Sequence, residues 1–171
     1  RPGRLYVPPE AENSAVPRPV ILFLHGAGET GSNNRSQING NIDNLLDAAK
    51  ERGAFLYAPQ ATTRNWSDTD RTNNVMTMVD QVLSEQNADA DRLYVTGLSM
   101  GGGGTWNMVS RNADRLSAAV PIAGVRPSND FDPANMTATA TWAFHARDDG
   151  VVSETNSRIV VNRILSAAGE P

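Results

Sequence analysis

Residues 96–106, TGLSMGGGGTW, set Ser99 between Gly97 and Gly101 and continue the glycines to Gly104, so the backbone around one hydroxyl is nearly bare. The stretch fits G-x-S-x-G where an apolar strand, RLYVTG (residues 92–97), gives way to a helix. In that context the serine sits on a sharp, strained turn, and side chains at Gly97 and Gly101 would strike the neighbouring strand and helix. The helix behind the turn points its positive end at the serine, where negative charge would develop during acyl transfer. A glycine-rich anion cradle is the competing reading, but the Lys-Ser/Thr pair of a phosphate loop is missing. Gly102, Gly103 and Gly104 then serve close helix packing, with Trp106 and Met108 as core residues of that helix.

Outward from this turn the chain alternates strands with helices. PVILFLHG (residues 19–26) is an almost unbroken apolar run, as expected of a strand covered on both faces. Residues 54–59, 118–124 and 140–146 repeat the form, and Leu5 to Val7 reads as a short strand closed by Pro8 and Pro9. Ile42, Leu45, Leu46 and Ala49 share one helical face; Val75, Met78, Val79, Val82 and Leu83 share another. A last helix carries Ile159, Val160, Arg163 and Ile164, with Ser153 as its cap and Gly169 as its stop. The alternation predicts a mostly parallel open α/β sheet with helices on both faces, built as a single domain over residues 1–171.

Composition narrows the function. The net charge is −4, Lys50 is the one lysine, and the arginines form no stripe, so nucleic acid and anionic membranes are not indicated. No run approaches the roughly 18 apolar residues of a membrane span. Cysteine is absent, which excludes disulfides, thiolate metal sites and a cysteine nucleophile while leaving the compartment open.

Two further segments carry chemistry. His25-Gly26-Ala27-Gly28-Glu29 follows the first central strand and has the form of an oxyanion loop, with the Ala27 N–H as first donor and the Met100 N–H as second. Within it His25 reads as a hydrogen-bonded loop anchor. FHARDDGVVS (residues 144–153) places Asp148 and Asp149 at a strand's C-terminal end, where either can serve as the acid, with a solvated loop or helix cap as the alternative role. Trp66, in the Asn65-Trp66-Ser67 loop, either walls a substrate pocket or packs beneath its loop.

Together, RLYVTGLSMGGGGTW, LHGAGETGSNN and TWAFHARDDGVVS resemble the esterase and predicted-peptidase group of the α/β-hydrolase superfamily, relatives of polyhydroxyalkanoate depolymerases and of feruloyl and acetyl xylan esterases. The resemblance implies Ser99 as nucleophile, Asp149 as acid, oxyanion donors near Ala27 and Met100, and a Trp66 pocket wall like that of polyester-degrading relatives. It implies a small-molecule or polymeric ester substrate, no metal or organic cofactor, and a secreted or periplasmic location, the cytoplasm staying open. Ala146 stands where the group has glycine and Ser153 where it has proline.

A serine hydroxyl needs a neighbouring base, and the chain has only His25 and His145, both before Asp149. The resemblance places the base after one further strand, in a loop beyond Gly169. The expectation is therefore a piece of an esterase domain lacking the C-terminal strand and the histidine loop. The alternatives are a serine peptidase on the same scaffold and a binding domain that lost its base.

Overall fold

A computed structural model describes residues 3–40, 42–127 and 131–170. Six strands form one sheet: β1 (Gly3–Tyr6), β2 (Arg18–Leu24), β3 (Phe55–Pro59), β4 (Ala88–Leu98), β5 (Ala118–Ile122) and β6 (Ala140–Thr141). Their spatial order is β1-β3-β2-β4-β5-β6. Only β1 runs antiparallel, pairing with β3 at the edge, and the other four pairings are parallel. The helices are α1 (Asp43–Glu51), α2 (Thr69–Glu85), α3 (Met100–Asn112), the single-turn α4 (Pro133–Met136) and α5 (Thr155–Ala168).

Successive strand residues point to opposite faces, and both faces are apolar in the central strands. Leu22, Leu24, Phe55, Tyr57 and Val95 join Val79 of α2, Trp106 of α3 and Val160 of α5 in one core. Phe23, Leu56 and Ala58 face the other way, against Ala49 of α1. This double burial is why the strands read as continuous apolar runs rather than alternating ones.

Three boundaries differ from expectation. Only Ala140 and Thr141 of the apolar 140–146 run form a regular strand; Phe144 returns to β5 through one isolated bridge to Ile122. β4 begins at Ala88, before the apolar residues, because the polar Ala88 end still pairs with Arg18. Glu154, not Ser153, precedes the first helical residue of α5, although Ser153 Oγ accepts from the Thr155 amide at 3.4 Å. Gly169 closes α5 in the left-handed conformation, φ 80°, as read from the sequence.

The layout locates a crevice. β2 and β4 are neighbours, yet the helix after β2 (α1) lies on one face and the helix after β4 (α3) on the other. Such a switch opens a gap between the C-terminal ends of the two strands, where open α/β sheets hold ligands.

Candidate active site

Ser99 follows β4 into that gap. Its backbone has φ 58° and ψ −116°, a conformation L-residues rarely adopt, and it is held there from both sides: its N–H donates to Ile122 O at 2.9 Å and its C=O accepts from Gly103 N at 3.0 Å. Gly97 and Gly101 make the turn fit. A Cβ on Gly97 would lie 2.4 Å from Gly101 O, and one on Gly101 only 1.8 Å from Leu24 O. The glycine pattern is thus a consequence of α3 starting almost in contact with the end of β2. Trp106 and Met108 are fully buried, as the helix core requires.

The Ala27 loop lies on the other side of the gap. Ala27 opens a single 3-10 turn, Ala27–Glu29, and Met100 opens α3. First-turn amides have no acceptor within their own helix, so both N–H groups belong to the set a helix start leaves for a ligand. Ala27, Ser99 and Met100 line one cavity of about 420 Å³, together with Trp66, Arg64, Asn107, Val125 and Arg126 among others.

His25 is buried, and both of its ring nitrogens are engaged. The Ala61 N–H donates to Nε2 at 2.9 Å, so the ring hydrogen sits on Nδ1, which donates to Gly26 O at 2.6 Å. Burial holds its pKa below the usual imidazole value, against the opposing pull of the Gly26 carbonyl and Glu29. It ties the Ala27 loop to the end of β3 and has no free lone pair to offer Ser99. The Trp66 indole is buried, donating Nε1–H to His25 O at 3.0 Å and meeting the His25 ring edge-on, and Trp66 also lines the cavity.

Asp149 lies on the loop after β6 and is not among the residues lining the cavity. Its Oδ1 accepts from Val151 N at 2.8 Å and Val152 N at 2.9 Å. These amide bonds, Val152 first, lower its carboxyl pKa, with the neighbouring His145 adding to them. Asp148 is exposed and shares none of these contacts. The structure thus brings Ser99, Ala27, Met100 and Trp66 together and sets Asp149 two strands from Ser99 along the same sheet edge.

Arg64, Asn107, Val125 and Arg126 were not legible as cavity residues. Arg64 adjoins the Asn65-Trp66 pair, but Val125 and Arg126 sit on a loop with no motif, and only its position after a parallel strand could have flagged it. Among the described residues, no three His, Cys, Asp or Glu side chains gather as a metal site would require. No helix among them is long and apolar enough to cross a membrane.

A mostly parallel sheet with its crevice at a switch point, and a strained serine turn beside the Ala27 turn, defines an α/β-hydrolase. Solved structures agree: the chain superposes on a thermostable esterase with a TM-score of 0.85 at 33% identity, covering 96% of this chain and 48% of that one. It matches the acetyl xylan esterase from Aspergillus awamori with a TM-score of 0.77 at 16% identity, covering 98% and 74%. Residues 44–169 match the dienelactone hydrolase family, and the chain belongs to it. Among curated relatives, a bifunctional acetylxylan esterase/xylanase of Neocallimastix patriciarum is 32% identical over 66% of this chain and 16% of its own length. A putative esterase of Nocardia uniformis is 25% identical over 81% of this chain and 41% of its own. The chain therefore spans less than half the length of these two curated relatives.

Proposed function

We propose that this chain carries the nucleophile, oxyanion donors and acid of a serine carboxylic-ester hydrolase. One observation carries the reading: the strained Ser99 shares a cavity with Ala27 and Met100, each the first residue of its helix. The esterase names borne by its relatives support the same class.

In this mechanism Ser99 Oγ bonds to the ester carbonyl carbon as its proton passes to a histidine. The carbonyl oxygen takes up the electron pair and is met by the Ala27 and Met100 N–H groups. The C–O bond to the alcohol then breaks, the alcohol leaving with the proton, and water releases the acid and restores the Ser99 hydroxyl. Asp149 orients the histidine and stabilises its charged form. His25 and His145 both have their ring nitrogens committed, so neither is free to take the Ser99 proton. A cavity of about 420 Å³ suits a small acyl group, including one carried on a polymer. The names of an acetylxylan esterase/xylanase and of a secreted protein of Arthroderma benhamiae, 28% identical over 77% of this chain, favour carbohydrate esters and an exported protein.

The test is fluorophosphonate labelling of the natural polypeptide beside its Ser99→Ala and Asp149→Asn variants. Labelling should vanish in Ser99→Ala, and Asp149→Asn should lower turnover by about 10⁴-fold. Labelling that survives in Ser99→Ala removes the nucleophile assignment.

A further inference from the structure

His145 serves no step above, yet its side chain is only 5% exposed and hydrogen-bonded at both ring nitrogens beside Asp149. Its Nε2 faces two oxygens, Val152 O at 2.7 Å and Asp149 Oδ2 at 3.5 Å. Two acceptors before one ring nitrogen place the hydrogen there. Nδ1 then holds the lone pair and accepts from Ser157 Oγ at 2.7 Å, and Ser157 is buried in the first turn of α5. Val152 is consequently gripped twice, its C=O by His145 and its N–H by Asp149 Oδ1.

We propose that His145 is a positioning residue for Asp149: by bridging Ser157 of α5 to Val152, it shuts the 149–152 turn so that Oδ1 is spent on backbone amides and Oδ2 is presented to the catalytic base. The inference rests on Asp149 being the acid. Without the bridge the turn is fastened to α5 by fewer bonds, and Oδ2 loses its fixed direction. A carboxylate that orients a base must itself be oriented, since misplacement by about 1 Å can cost about 10²-fold in rate.

Three variants of the natural polypeptide separate this role from simple packing. His145→Phe fills the space with no ring nitrogen, His145→Gln retains a donor and an acceptor, and Ser157→Ala removes only the hydroxyl that Nδ1 accepts from. The readouts are kcat and KM for 4-nitrophenyl acetate, and the titration of the Asp149 carboxyl followed by carbon NMR. His145→Phe should lower kcat by about tenfold to a hundredfold with KM unchanged, and the carboxyl should titrate at higher pH than in the parent. His145→Gln should recover most of both, and Ser157→Ala should fall between. In an Asp149→Asn background, His145→Phe should add no further loss, because its effect runs through the carboxylate. An unshifted Asp149 titration in His145→Phe or Ser157→Ala, or an equal kcat loss in the Asp149→Asn background, overturns the proposal. Full turnover in Asp149→Asn would instead remove Asp149 as the acid, an outcome the NMR titration keeps distinct.

Discussion

Ser99 is held at φ 58° and ψ −116°, a backbone strain of about 1–3 kcal/mol that the Ile122 and Gly103 hydrogen bonds maintain. Alanine at this position keeps the strain while removing the hydroxyl, whereas glycine removes both. Ser99→Gly should therefore be more stable than Ser99→Ala by about 1 kcal/mol in urea unfolding; equal stabilities would mean that the turn is relaxed. His25 yields a second expectation. Because burial lowers its folded pKa, the unfolded chain binds the proton more readily, and the stability that His25 contributes is present above about pH 6.5 and lost as pH falls from there toward its folded value. Unfolding midpoints measured between pH 7 and pH 5 should fall, and the part due to this residue should be absent in His25→Gln. At this scale the sequence was legible wherever a motif imposed a residue type, as at Ser99, Ala27 and His25. It was silent on Val125 and Arg126, whose place in the cavity depends on the path of a loop.

At the level of elements, the turn after β4 works only because α3 starts against β2. A methyl on Gly101 would have to pass within 1.8 Å of Leu24 O, a backbone atom at the end of β2. Gly101→Ala should cost about 3 kcal/mol or more, seen as a lowered urea midpoint with unchanged slope, while a loss below about 1 kcal/mol would show that the contact relaxes. The central strands could be read from their apolar runs because both faces are covered. The run at residues 140–146 keeps to β5 beyond the regular strand: the Trp142 and Phe144 amides donate to Ala119 O and Pro121 O at 3.0 and 3.1 Å, and Phe144 bridges to Ile122. The alternation Trp142, Phe144 against Ala143, His145 still shows through: Ala143 packs on the main core and His145 bonds Ser157 of α5.

For the whole molecule, the two faces of the sheet are unequally covered. Ala119 belongs to the core shared with α3 and pairs with Thr141, so Trp142 falls on the opposite face, where it is 70% exposed and stacks on Phe144 with ring centres 4.7 Å apart. Trp106, on the covered face, is fully buried. Trp106→Ala should cost about 3–5 kcal/mol and Trp142→Ala within about 0.5 kcal/mol when residues 1–171 are unfolded in urea; comparable losses would contradict the placement of the core. The fold class was readable because strand and helix alternate along the entire chain, whereas the unequal covering depends on which helix crosses which face, and apolar periodicity alone does not carry that.

The central claim is that Ser99 Oγ and the amides of Ala27 and Met100 act on one reacting centre. A crystal structure of the phosphonylated natural polypeptide tests it directly. The account expects phosphorus bonded to Ser99 Oγ, with the phosphoryl oxygen about 2.7–3.1 Å from both amide nitrogens. Phosphorus on another side chain, or a phosphoryl oxygen turned away from both amides, would contradict it.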